Sequence, residues 1–172
     1  MPIEIFKGNI VNAEVDAIVN AANPMMLGGG GVDGAIHEAA GPELLQACRK
    51  VKAINGIRCP FGEARITGAG KLPSQYVIHT SGPIYRNEAD PDAVLLSSYN
   101  NCLRLALDNQ CRSIAFPAIS CGAYGFPIDK AAIIALNACL EPAYERLNIF
   151  FYLFDDHTYQ VWLQTYQDLT GQ

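Results

Sequence analysis

Two polar side chains bracket the most glycine-rich stretch of the chain. In NAANPMMLGGGGVDGAIHEAAG (residues 20–41), Asn23 and Asp33 stand on either side of glycines 28–31. An Asn can orient a hydroxyl without ionising, and an Asp can hold a water or take its proton. Consecutive glycines are costly to order. In return they let a backbone approach a ligand closely, and the N–H groups at the start of a following helix face an anion. A second cradle, Ser120-Cys121-Gly122-Ala123-Tyr124-Gly125, lies between the apolar run SIAFPAIS and Pro127. Two opposed cradles suit a diphosphate better than a single phosphate. Tyr124 and Phe154, both aromatic and both near the ends of apolar runs, could flank a ribose and stack on a base. The ligand these residues suggest is a nucleoside diphosphate with a further group attached. A plainer reading stands beside it: Asn before Pro24 forms a turn, and Asp33 caps a helix.

The elements that must position these residues alternate along the chain. Residues 3–8, 16–22, 63–70 and 75–82 read as short strands, 113–120 as a strand buried on both faces, and 147–154 as a further buried strand. Residues 33–51 have helical character, redirected near Gly41-Pro42 because Pro suits a first helical turn and not an interior. Residues 90–110 form a strong helix: Asp90 caps, Pro91 opens the first turn, and apolar residues recur at 94, 95, 99, 102, 103, 106 and 107. Helices over 127–146, with Pro142 a kink or stop, and 155–169 complete the pattern. Strands alternating with helices imply an α/β sandwich around a mainly parallel sheet. In such sheets ligands bind beyond the carboxyl ends of the strands. The segments NAAN, AISCGAYGFP, FYLFDD and KGNI all fall there, so they should converge in space.

Composition narrows the class. The 172 residues are half hydrophobic with sparse charge, the size of one domain with a real core, and residues 170–172 read as a short tail. No apolar run is long enough to span a bilayer, and MPIEIFKGNIV has no basic segment before an apolar core, so a cytoplasmic protein is expected. Six cysteines without CxxC spacing read as reduced thiols acting as small core hydrophobes, Cys121 in its glycine-bearing loop being the one set apart. No Cys/His cluster has metal-ligand spacing, and no metal or cofactor is expected. With net charge −5 and no run of Lys and Arg, the chain lacks a footprint for nucleic-acid backbone. Residues 29–34 match G-x-G-x-x-G formally. NPMML, however, separates strand from glycines, and no acid-ended strand follows at the dinucleotide-binding distance. No G-x-x-x-x-G-K-[ST] phosphate loop is present either.

The segment VDAIVNAANPMMLGGGGVDGAIHEAAGP resembles the defining motif of the macrodomain family, specifically its MacroD-type branch. GEARITGAGKLPSQYVIHTSGPIY, SIAFPAISCGAYGFPIDKAA and FDDHTYQVW look like further family segments in family order. The resemblance implies a three-layer α/β/α sandwich around a central mixed, mainly parallel sheet. It also implies ADP-ribose and its derivatives as ligands, and a hydrolase that removes mono-ADP-ribose from acidic side chains of proteins or acetyl from O-acetyl-ADP-ribose. By the same resemblance Asn23 bonds the distal ribose and Asp33 positions the attacking water. Gly30, Gly31 and Val32 surround the distal ribose and phosphate, and Ala22 is a further ligand-binding residue. Ser120, Cys121, Gly122, Ala123, Tyr124 and Gly125 form the diphosphate loop, with Tyr124 over the ribose and Phe154 stacked on adenine. Asn9 and Ile10 stand at the adenine end, where the family's Gly-Asp-Ile has become Gly8-Asn9-Ile10. His37, one turn after Asp33 on the same face, is a general-base candidate whose plainer role is structural. His79 reads as a core histidine and His157 as a surface residue.

Two other readings remain. A non-catalytic ADP-ribose reader would keep the pocket without turnover. A poly(ADP-ribose) glycohydrolase would need paired glutamates after the glycine run, and Glu38 stands alone.

Overall fold

The computed structural model describes residues 3–171. Six strands, β1 (Ile3–Lys7), β2 (Ala17–Ala21), β3 (Ala64–Gly68), β4 (Tyr76–Thr80), β5 (Ser113–Phe116) and β6 (Asn148–Leu153), form one sheet in the order β1-β6-β5-β2-β4-β3. Every neighbouring pair is parallel except β3 with β4. The helices are α1 (Gly31–Ala40), α2 (Pro42–Arg49), α3 (Pro91–Asp108), α4 (Ile128–Cys139) and α5 (Asp156–Thr170).

Side chains alternate across each strand, and that alternation divides the interior. Ala17 and Val19 of β2, Phe116 of β5 and Phe151 of β6 face a core shared with Leu95 and Leu103 of α3, Ala135 of α4 and Trp162 of α5. Ile18 of β2, Val77 of β4 and Ala115 of β5 face a smaller core with Ile36 of α1 and Leu44 and Cys48 of α2. The result is the three-layer α/β/α sandwich with a mixed, mainly parallel sheet.

Local chemistry explains the boundaries. The helical character over 33–51 splits because Gly41 takes φ 83° between α1 and α2, and Pro42 opens the second helix. Asp90 caps α3 by accepting the Ala93 N–H at 3.2 Å, and Asp155 caps α5 by accepting that of Thr158 at 2.7 Å. The expected strand over 113–120 is shorter: β5 ends at Phe116, before Pro117. The expected continuous burial of 147–154 also needs correction. Only alternate residues of β6 are fully buried: Phe150 and Tyr152 are half-buried at the margin of the smaller core, where they also pack with Phe6 of β1. Among the described residues no helix is long and apolar enough to cross a membrane.

The parallel strands release their chains at one edge. There β2 leads into α1 on one face while its neighbour β5 leads into α4 on the other. Such a divergence opens a crevice between the two exits.

Candidate functional site

A cleft of about 380 Å³ fills that crevice. Its first wall is the segment from β2 to α1, contributing Ala22, Asn23, Gly30, Gly31, Val32 and Asp33. Its second wall comes from the segment after β5, with Ser120, Gly122, Ala123 and Tyr124. Ten sequence-selected residues, from two segments far apart in the chain, thus line one cavity.

Asp33 is the third residue of α1, and Gly30 stands at the N-cap without any side-chain cap bond. The carboxylate does not cap the helix; it accepts a hydrogen bond from Asn20 Nδ2 at 2.8 Å through Oδ1. Its other oxygen lies toward the glycine loop, where a Cβ on Gly29 would sit 3.1 Å from Asp33 Oδ2 and 3.5 Å from Asn23 Nδ2. Gly34 is more tightly constrained, because a Cβ there would meet the Gly29 carbonyl oxygen at 2.7 Å. Burial raises the Asp33 carboxyl above the ordinary carboxylate range, against the lowering effects of the Asn20 bond and of His37.

Behind Asp33 stands a buried polar chain. Asn20 and His79 are register partners on β2 and β4, both fully buried, and Asn20 Nδ2 lies 3.1 Å from His79 Nδ1. Asn20 must turn its amide N–H₂ toward the carboxylate, which only accepts, so His79 Nδ1 accepts and its proton resides on Nε2. That Nε2 lies 3.0 Å from Thr67 Oγ1. Burial, and secondarily His37, push His79 down to about 3, so the imidazole is neutral at physiological pH. The core-histidine expectation for His79 therefore describes its burial, and its contacts reach Asp33 through one intermediate residue.

Asn23 serves the turn it was expected to form. Its Oδ1 accepts the N–H groups of Met25 and Met26, each at 3.1 Å, and its Nδ2 donates to the Gly28 carbonyl at 3.2 Å. It lines the cleft as well, so the turn and ligand roles are compatible.

The second wall is built from backbone. Ser120 holds φ 66°, a left-handed conformation unusual for a residue with a side chain. Its carbonyl accepts the Phe126 N–H at 2.9 Å, and Gly125, at φ 73°, donates to the Gly122 carbonyl at 3.0 Å. The N–H groups of Gly122, Ala123 and Tyr124 donate to no backbone acceptor among the described residues. The first-turn N–H groups of α1, likewise without intrahelical partners, belong to the opposite wall. Burial, and then the Asp33 carboxylate, raise the Tyr124 phenol.

The remaining selected residues lie off the cleft. Cys121 packs into the larger core, and its thiol is pushed up to about 12 by burial and then by Asp155. Gly125 shapes its turn without lining the cavity. Ile10 is buried in the smaller core. His37 Nε2 approaches Asp33 Oδ1 at 3.4 Å, on the helix side of the carboxylate and not on the cleft wall. Asn9 and Phe154 adjoin each other farther along the same edge, since Gly8 N–H bonds the Leu153 carbonyl at 3.0 Å. Phe154 is 80% exposed, and Asn9 Oδ1 accepts the Val11 N–H at 3.1 Å. His157 is exposed at the start of α5.

Sequence reasoning passed over Asn20, which reads as one more polar residue in a strand. It also missed Gly82, Ala118 and Ile119, which line the cleft floor. A Cβ on Gly82 would collide with Ile119 Cγ2 and with Ser120 Oγ. The one signal for this was a glycine at the exit of β4.

Comparison with known proteins agrees with this geometry. The family model described as Macro domain matches residues 19–135. A macro domain-containing protein of Vibrio parahaemolyticus is 58% identical over 160 residues, covering 93% of this chain and 94% of the relative. A protein of Citrobacter rodentium named O-acetyl-ADP-ribose deacetylase is 53% identical over 160 residues, covering 91% and 90%. Among solved structures, an Oceanobacillus iheyensis macrodomain with ADP superposes with TM-score 0.93 at 42% identity, covering 98% of this chain and 92% of that one. A Trypanosoma brucei macrodomain in complex with ADP-ribose gives 0.85 at 39%, covering 95% and 68%. The fold, the cleft at its strand ends and these relatives together place the chain in the macro domain family.

Proposed function

We propose that the chain binds ADP-ribose along the carboxyl edge of the sheet and hydrolyses groups attached to its distal ribose. The observation that carries this reading is the buried Asp33 carboxylate, held from behind by Asn20 and facing the glycine loop in front. Strand order supports the ligand's length: three strand spacings separate β1 from β2, roughly 14 Å. That distance suits adenine near Asn9 and Phe154, the diphosphate between the two sets of backbone N–H groups, and the distal ribose by Asn23 and Asp33. The relatives named O-acetyl-ADP-ribose deacetylase and the neighbours solved with ADP or ADP-ribose point the same way.

With an acidic side chain esterified to the distal ribose, a water held by Asp33 attacks the anomeric carbon. Its oxygen forms the new bond, the carboxylate of the modified side chain leaves, and a water proton passes to the Asp33 site. A carboxyl raised by burial is a better proton acceptor than an ordinary one. Deacetylation of O-acetyl-ADP-ribose uses the same water against the acyl carbon: the acyl C–O bond breaks, acetate is released, and the ribose oxygen leaves as a hydroxyl that takes up a proton. Six free thiols, five of them buried, fit action in the reducing cytoplasm.

A second reading, an ADP-ribose reader with little turnover, is favoured by Asn9 in place of the family's aspartate. Incubation with a glutamate-linked mono-ADP-ribosylated protein and with O-acetyl-ADP-ribose separates the two. Release of ADP-ribose or acetate is expected; tight ADP-ribose binding with no release at high protein concentration would leave the reader.

A further inference from the structure

Against the expectation of a chain without basic runs, residues 49–58, RKVKAINGIR, hold four of the 12 Lys and Arg and none of the 17 Asp and Glu. In a molecule of net charge −5 this is a local reversal of sign. The segment does not dangle. Ile54 and Ile57 exchange backbone hydrogen bonds at 2.9 and 3.0 Å across Asn55 and Gly56, at φ 55° and 79°. This is the two-residue turn with positive φ at both central positions that Asn-Gly favours. It fixes two apolar side chains in solvent, Ile54 at 65% and Ile57 at 39% exposure. A groove of about 550 Å³ opens beside them, lined by Lys52, Arg58 and Arg65 among Val51, Ile54 and Ile57.

The groove is fastened to the cleft. The N–H groups of Arg58 and Cys59 both donate to the Pro24 carbonyl, at 2.8 and 2.9 Å. The Arg58 guanidinium donates to the Met25 carbonyl at 3.1 Å, and its buried Nε has no protein partner. Pro24 and Met25 directly follow Asn23, so the groove borders the end of the cleft assigned to the distal ribose.

We infer that this groove receives the polypeptide flanking an ADP-ribosylated acidic side chain, and that it prefers acidic flanks. The inference rests on the proposed placement of the distal ribose at Asn23 and Asp33. Cations select the sign of the partner, and the exposed isoleucines supply apolar contact to its side chains. A nucleic acid fits less well, because no aromatic residue lines the groove for base stacking and three cations, one of them (Arg65) already paired with Glu63 at 2.9 Å, make a small phosphate footprint.

The test compares two peptides bearing glutamate-linked mono-ADP-ribose, one with Asp and Glu flanks and one with Ser and Gln flanks. Binding is measured by fluorescence anisotropy on Asp33→Ala protein, so that the ester survives. The acidic peptide should bind about fivefold or more tightly than the neutral one, with the gain shrinking from about 50 to about 500 mM salt. Lys52→Glu combined with Ile54→Asp should erase the gain while leaving affinity for free ADP-ribose unchanged, which also reports intact folding. Lys52→Gln alone should reduce it in part. Equal affinity for the two peptides would overturn the inference. So would an equal loss for free ADP-ribose in the double variant, or Lys52 dependence confined to an ADP-ribosylated oligonucleotide. If the unmodified protein releases no ADP-ribose from either peptide, the hydrolase reading fails, and the affinity ratio still decides the groove.

Discussion

The two walls of the cleft are built by opposite means. On the Asp33 side, a carboxylate is backed by the buried side chains of Asn20 and His79 and by half-buried Thr67, each fixed by the next. On the Ser120 side, the wall is mainly backbone bent into tight turns, anchored by the Tyr99 hydroxyl, which accepts the Ile119 N–H and donates to the Pro117 carbonyl, both at 3.4 Å. The difference follows from what the proposed function asks of each wall. A carboxylate that handles a proton needs a fixed orientation and a dry, polar support. A diphosphate needs only N–H groups aimed at it, which a glycine-bearing loop supplies without charge.

If that division holds, disturbing the first wall changes chemistry and its pH response, whereas disturbing the second changes affinity and packing. The largest effect should come from Asp33→Asn. Turnover should fall by about 10²–10⁴-fold, measured as release of ADP-ribose, while calorimetry shows ADP-ribose binding retained. The same substitution should raise the melting temperature at neutral pH. The Asp33 carboxyl lies above its unfolded value, so its stabilising contribution is present in acid and is lost as pH rises through the folded pKa. Loss of binding together with turnover would break the comparison.

His79 has the opposite sign. Its folded pKa, about 3, is below the unfolded 6.5, so its contribution is complete above pH 6.5 and drains away as pH falls toward 3. Denaturant titrations across that range should show on the order of 4 kcal/mol lost from this group, and His79→Gln should flatten that slope. An unchanged slope would detach the imidazole from the first wall's stability.

Gly82→Ala probes the second wall, because its Cβ would collide with Ile119 and Ser120. A destabilisation of about 1–3 kcal/mol and weaker ADP-ribose binding are expected, read from thermal melts and calorimetry. The pH profile of turnover should keep its shape. The smallest effect belongs to the far end of the edge. Asn9→Asp should tighten ADP-ribose binding by about 1 kcal/mol, because a charged acceptor replaces a neutral one. Equal or weaker binding of the Asp form would remove the adenine end from the electrostatics of the site.

Much of this was legible in the linear chain because it is local. Pro42, Pro91 and Asp90 mark helix starts, and glycines beside Asp33 mark a loop that opens a helix; each depends on a few neighbouring dihedrals. Periodicity also served where burial is one-sided, as in α3. It served less well in the strands. The run at 113–120 could not show that β5 stops before Pro117, and LNIFFYLF could not show that Phe150 and Tyr152 lie only at the margin of the smaller core.

What the residues alone determined was the inventory: an acid and an amide around a glycine run, a second glycine-bearing loop, a deviant Asn9, and an alternation that demands a layered sheet. Tertiary structure decided how the inventory is wired. Asn20, His79 and Thr67 come from three different strands, and only the pairing of β2 with β4 and β4 with β3 sets them in line behind Asp33. Gly82 is crowded only because β4 exits against the loop from β5. The basic segment at 49–58 gains its place beside Asn23 through three bonds from Arg58 and Cys59 to Pro24 and Met25. Local dihedral preferences are written residue by residue, whereas a contact between distant segments exists only once the sheet has brought their ends together.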